Sequence, residues 1–536
     1  HPLISPILAA ADCLTCKPGW GSNDHDGHGT LMAGVVGYGD LMRCLLSSDQ
    51  IRINHLLESV KILPNAGGND PQLWGYISSQ AVSLAEINAP ERDRIHCMAV
   101  VAPDSLDRGR PSSWSGSLDQ ITSGAEEEEQ PKRLFIVSAG NSPMNDNFRN
   151  YPTFQFTESV RDPAQAWNVI SVGAITELVD IQDPDFNNYH PIAQKGYLSP
   201  YTSTSCVWNP EWPLKPEIVL EGGNAVSNQD GTDFSDCADL SLLSTFYRPV
   251  ERYFDTFSMT SAATSQAANL AAKIQDKYPE YWPETVRGLI VHSAEWTPAL
   301  KEQLLHGDTK RDRNQMLHKC GYGIPNYDRA IYSANNCLTL IAQSEIQPFS
   351  KVKNTIRPST MHLYELPWPK EVLQNLPIDT EIKMRVTLSY FIEPSPGEYR
   401  AKNRYSYASH SLRFCLKTPN EQIDDFKKRV NKAVREEDEN FQNESQESNW
   451  WFFGEQSRNK GSIHSDIWMG TAQELATSNI IAVIPKGGWW KFRTKMGRWN
   501  RKTRYSLIIS LYTPEETIDI YTPVINQIKI PVQIPT

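Results

Sequence analysis

Four short segments carry the side chains on which chemistry could rest. His28 stands between glycines in NDHDGHGTLMAGVVGYGD (Asn23–Asp40), at the exposed start of an expected helix. Asn141 closes FIVSAGN (Phe135–Asn141), an apolar strand that runs into a turn of small residues. Ser258, within FDTFSMTSAAT (Phe254–Thr264), opens a helix of small residues suited to burial. KPEIVLEGGN (Lys215–Asn224) adds a glycine-lined loop. A lone histidine in a glycine-rich turn is most often structural, and it gains a role only with a partner. A serine hydroxyl is such a partner, because it is a weak nucleophile until an imidazole takes its proton.

Taken in chain order, these segments resemble the subtilisin-like serine peptidases over most of residues 1–300. HGTLMAG (His28–Gly34) looks like that family's HGTxxAG histidine motif, and VSAGN (Val137–Asn141) looks like its oxyanion-asparagine motif. TFSMTSA (Thr256–Ala262) is similar to its serine motif, GTSMAxP. The resemblance implies a serine endopeptidase acting on protein or peptide substrates, without a cofactor or catalytic metal. It implies Ser258 as nucleophile, and His28 as general base and then general acid. Asn141 would donate to the tetrahedral oxyanion, and Ser138, Ala139 and Gly140 would line the substrate cleft. No calcium-binding loop stands out, since GAEEEEQ (Gly124–Gln130) reads as a solvated loop.

The match has departures. Thr256 and Phe257 stand where the family has Gly-Thr, and Ala262 stands at its Pro position. HPLISPIL (His1–Leu8) looks like the segment that follows the family's catalytic aspartate. That acid and its strand are therefore expected upstream of His1. Asp12, Asp24 and Asp26 are the nearest carboxylates, but Asp24 and Asp26 flank His28 too closely to orient it and read as helix caps or solvated groups. A chain without the acid is expected to be nearly inactive, since its loss from the subtilisin triad lowers turnover by roughly 3 × 10⁴. Loss of the first core strand would also expose an apolar sheet edge. The alternative is a catalytically inactive binding module on the same fold. Another α/β hydrolase fits less well, because WSG (Trp114–Gly116) forms no GxSxG elbow.

The elements that must hold these residues are legible as periodicity. Residues 1–340 alternate apolar runs such as SVKILP (Ser59–Pro64) and IHCMAVVAP (Ile95–Pro103) with helical stretches such as QLWGYISSQAVSLAEINA. That pattern predicts an α/β domain, a subtilisin-like parallel sheet with helices on both faces. Residues 341–536 turn to alternating strands, including IKMRVTLSYF, RYSLIISLYT and IDIYTPVINQIKIPVQI, which predicts a C-terminal β-sandwich or jelly roll. A charged helix running into a polar loop is expected over Asp424–Asn449. The aromatic runs NWWFFGEQ (Asn449–Gln456) and GGWWKF (Gly487–Phe492) read as core packing before they read as a binding surface.

Composition bounds the rest. The 536 residues suggest two or three domains, and a net charge of −11 disfavours nucleic acid as a partner. No apolar run is long enough to span a membrane, and no signal peptide opens the chain. Nine scattered cysteines predict a reduced, cytoplasmic setting. Cys13 and Cys16 form a lone CxxC pair, too few ligands for a structural zinc.

Overall fold

The apolar runs of the N-terminal half become parallel strands in the computed structural model, which describes residues 1–103, 107–125, 131–331, 337–368, 370–397, 406–436, 449–512 and 532–535. Cys13–Thr15 (β1) and Ser59–Lys61 (β2) form one short parallel pair. Ile95–Met98 (β3), Leu134–Ser138 (β4), Ile170–Thr176 (β5) and Ile218–Glu221 (β6) follow as a parallel sheet in the order β3-β4-β5-β6. Tyr197–Leu198 adds an antiparallel ladder on β5. Every position of β4 and β5 is buried, as strands covered on both faces must be. By contrast, the expected buried strand at Ser59–Pro64 is only three residues long, with Ser59 exposed and Val60 and Lys61 half-buried.

Strand alternation divides the side chains between two helical layers. On one face, Met98, Phe135 and Val137 pack with Val82 of Trp74–Asn88 and with Trp114, Leu118 and Ile121 of Ser113–Ser123. On the other face the alternate residues meet a helix of small side chains, Met259–Lys277. Cys97 Sγ lies 3.9 Å from Thr264 O, and Ser138 Oγ lies 2.7 Å from Thr260 Oγ1. We call the helices His28–Tyr38, Trp74–Asn88, Ser113–Ser123 and Met259–Lys277 α1 to α4. Ala262, Ala263, Ala267 and Ala271 of α4 are fully buried, and their small size lets the backbone approach the sheet. Asn269 Nδ2 donates to Val36 O at 2.7 Å and ties α4 to α1. Thus the α/β layering matches the pattern in the sequence.

Contacts divide the chain into two units, His1–Tyr281 with Ser293–Tyr327, and Trp282–His292 with Asp328–Thr536. The division is interleaved because the helix Pro283–Ser293 (α5) is anchored in the second unit. There Thr285 Oγ1 donates to Gln343 Oε1 at 2.5 Å, and Glu284 pairs with Arg504 at 3.0 Å.

The second unit holds two four-stranded antiparallel sheets. One contains Cys337–Ile346, Thr503–Tyr512, Glu381–Tyr390 and Ile463–Thr471, in that order. The other contains Ser411–Leu416, Ile480–Lys486, Thr360–Glu365 and Val532–Pro535. Tyr505 of the first sheet bonds His362 and Tyr364 of the second, at 2.6 and 2.5 Å. The expected charged helix runs Ile423–Glu436. Its Phe426, Val430 and Val434 recur every four residues and pack on Met361, Leu363, Ala482 and Ile484. The polar loop expected after it, and most of the acidic run and of the last expected strand, lie outside the described residues. Trp451, Phe453, Trp489 and Trp490 are buried, so both aromatic runs serve packing. No helix among the described residues is long and apolar enough to cross a membrane.

Candidate active site

His28 is the first residue of α1, and its position is set by Asp24. Asp24 Oδ1 accepts from Gly27 N at 2.8 Å, and Oδ2 accepts from Thr30 N at 2.8 Å and Thr30 Oγ1 at 2.7 Å. These bonds satisfy helix-start donors that have no intrahelical acceptor. Burial opposes ionisation of Asp24, but the bonds from Thr30, Gly27 and Asp26 outweigh it and hold the carboxyl below its usual range. The first turn of α1 is also fastened to the strand Leu242–Thr245. Thr245 Oγ1 donates to Thr30 O at 2.8 Å, and Ser244 Oγ to Leu31 O at 2.6 Å.

The serine that meets His28 is not the expected one. His28 Nε2 lies 3.1 Å from the hydroxyl of Ser261, not that of Ser258. Ser258 precedes α4 with an extended backbone, φ −135° and ψ −170°. The turn into the helix comes one residue later, at Met259, whose φ of +68° is left-handed. The Met259 N–H is held by Gly222 O at 2.6 Å, from the expected glycine-lined loop. A Cβ on Gly222 would stand 2.5 Å from that of Ala174, so only glycine lets this loop come so close. Beyond this corner Thr260 and Ser261 enter the helix, and Ser261 points at His28.

A signal for Ser261 was present in the sequence. In the register Met259–Ser265, MTSAATS, a threonine immediately precedes the serine and an alanine stands two residues after it, as in GTSMAxP. Met259 then takes the place of the motif's glycine, and its left-handed φ is the conformation that glycine supplies at no steric cost.

Asn141 lies beside this corner. Its Oδ1 accepts from Thr260 N at 3.0 Å and from Thr260 Oγ1 at 2.5 Å. A backbone N–H only donates, so the bonded atom is the amide oxygen and the Nδ2 hydrogens form the other end. Having donated to Asn141, the Thr260 hydroxyl accepts from Ser138 Oγ at 2.7 Å. Ser138 and Ala139 are buried, and the Ser138 side chain is spent on this support. Gly140, with φ +95°, turns the chain from β4 to Asn141.

Burial pushes the His28 imidazole below its ordinary range, against the opposing charges of Asp26 and Asp24. The ring of Phe257 meets His28 edge-on, with centroids 5.7 Å apart. Among the described residues no aspartate is hydrogen-bonded to His28. Asp12 is buried, pairs with Arg92 at 2.9 Å and accepts from Asn88 Nδ2 at 3.1 Å. Cys13 and Cys16 are free thiols, and burial raises both. Among the described residues no group of three or more His, Cys, Asp or Glu is arranged to hold a metal ion.

Residues 1–323 match the model of the subtilase family, Peptidase S8. The chain belongs to that family. No curated protein matches it. Among solved structures it is similar to a cold-adapted subtilisin-like serine proteinase, with 18% identity and a TM-score of 0.30 over 51% of this chain and 70% of that one. It is also similar to Sphericase, with 19% identity and a TM-score of 0.33 over the same shares.

Proposed function

We propose that this subtilase is a serine endopeptidase in which Ser261 is the nucleophile, His28 the general base and Asn141 an oxyanion donor. The 3.1 Å contact between His28 Nε2 and Ser261 Oγ carries this reading. Ser261 Oγ attacks the peptide carbonyl carbon while His28 Nε2 takes its proton. The carbonyl oxygen becomes an oxyanion, close to the Nδ2 hydrogens of Asn141 and to the first turn of α4, where the helix end favours negative charge. Collapse breaks the C–N bond, and the leaving amine takes the proton from His28. Water then repeats the two steps on the acyl-enzyme. The lowered basicity of His28 supports its role, because the ring must be neutral to accept a proton.

Among the described residues no carboxylate is bonded to His28, and a site lacking one is expected to turn over weakly, since removal of the acid from the subtilisin triad costs roughly 3 × 10⁴. The same observation favours a second reading, a non-catalytic binding module. The bonds from Tyr505 to His362 and Tyr364 support a β-sandwich for the second unit.

A fluorophosphonate probe on the full chain, followed by mass mapping of the adduct, separates the readings. The expected adduct is on Ser261, lost in Ser261→Ala and His28→Ala and retained in Ser258→Ala. An adduct on Ser258 would overturn the assignment, and no adduct would favour the binding module.

A further inference from the structure

Arg161 lies on the segment between β4 and β5, and its side chain covers the turn that carries the oxyanion donor. Its backbone N–H donates to Ala139 O at 2.9 Å. A Cβ placed on Gly140 would meet Arg161 Cγ, Cδ and Cβ at 2.8, 2.9 and 3.0 Å. The arginine stem therefore packs on the residue immediately before Asn141. At the far end Nη1 donates to Pro103 O at 3.1 Å, in an exposed setting. A guanidinium has five N–H donors in a planar fork, and the fork matches a carboxylate.

The acid next to it in sequence is occupied elsewhere. Asp162 Oδ1 accepts from Ser112 Oγ at 2.6 Å and from Gln165 Nε2 at 3.0 Å. Among the described residues Arg161 forms no ion pair. A half-buried cation is thus held against the residue that precedes Asn141. If the oxyanion binds Asn141 Nδ2, about 3 Å away, the residue that owns that carbonyl lies against Ala139–Asn141. Its side chain is then within reach of the fork.

We propose that Arg161 is a specificity-determining residue that takes an acidic side chain, glutamate or aspartate, on the residue whose carbonyl is attacked. The inference rests on the peptidase reading for its register, and the test keeps the two separable. The peptides Ac-Ala-Ala-Pro-Xaa-Ala-amide, with Xaa as Glu, Gln, Phe or Lys, are offered to the full chain for cleavage. The Ser261→Ala variant receives them for binding by calorimetry. The amide end removes any terminal carboxylate that could occupy Arg161.

Glu is expected to exceed Gln by roughly 10- to 100-fold in kcat/KM and in affinity, as a charge-assisted bidentate contact should give. Arg161→Ala is expected to erase the ratio, and Arg161→Glu to turn the preference toward Lys. The wild-type Glu-to-Gln ratio tests the proposal even where a variant fails to fold. A ratio near one, with Ser261 labelled by the fluorophosphonate, overturns the role of Arg161 and leaves the peptidase reading standing. Selective binding of the Glu peptide without labelling keeps the acidic subsite and removes the peptidase reading. A ratio near one without labelling overturns both.

Discussion

Two of the histidine–hydroxyl contacts in the molecule stand in contrast, and the closer of the two is sealed inside the fold. In the second unit His292 Nδ1 meets Thr387 Oγ1 at 2.8 Å and its Nε2 meets Ser510 Oγ at 2.7 Å. Both are shorter than the 3.1 Å between His28 and Ser261. Yet His292 is sealed at 2% exposure, Thr387 is bonded onward to Ser465, and Ser510 to Thr339. Every polar end of that network is used within the fold, and nothing is left to act on a substrate. His28 is half-buried at a helix start, and a half-buried carboxamide, Asn141, is locked through its oxygen to Thr260, the residue before its serine. A histidine–serine contact becomes reactive through what surrounds the hydroxyl, not through its length.

Three substitutions sharpen this contrast. Under the proposed role, Asn141→Ala is expected to lower kcat by about 10²–10³, some 2.7–4 kcal/mol, the loss found on removing the oxyanion asparagine of subtilisin, with KM changed far less. A loss below tenfold would remove Asn141 from the site. His292→Leu is expected to cost about 2–3 kcal/mol of unfolding free energy in urea, because it strands two buried hydroxyls. Labelling of Ser261 in the folded variant should stay at the wild-type rate, and a parallel loss of labelling would erase the distinction between the two pairs.

The smallest effect concerns pH. Burial keeps His28 neutral to lower pH than a free imidazole, so labelling should rise with pH and reach half its maximum below the ordinary imidazole value. Asp26 raises the His28 value, so Asp26→Asn should move that limb to still lower pH. His292 follows the opposite logic, since burial pushes its value well down and Arg385 and Arg329 add to this. Below the ordinary imidazole value the unfolded chain binds a proton that folded His292 refuses, so stability is lost as pH is lowered. His292→Leu should flatten that slope without moving the labelling limb. A labelling limb that followed His292 would contradict the separation.

The difference between what was legible and what was not follows the range of the forces involved. His28 and Asn141 sit in contiguous motifs that the sequence displays whole, and the buried runs of β4 and β5 announce a two-sided sheet through composition alone. Ser258 and Ser261 are three positions apart in the sequence, one just before and one just inside a buried helix. Choosing between them depends on where the left-handed corner falls, and Met259 takes it under a tertiary constraint, the carbonyl of Gly222. The membership of α5 in the second unit is of the same kind. Its sequence declares a helix, but its anchors are Gln343 and Arg504, far along the chain. The tryptophan runs were ambiguous because an aromatic ring has the same letter in a core and on a surface.

The lock on Asn141 has a consequence for chemical ageing. Both bonds from Thr260 are received by the amide oxygen, and a carboxylate would receive them equally well. Hydrolysis of that side-chain amide to aspartate would leave the corner of α4 intact while replacing the Nδ2 donor with a negative charge. Under the proposed role of Asn141, aged protein would melt like fresh protein, elute from an ion-exchange column as the more acidic form, and label more slowly at Ser261.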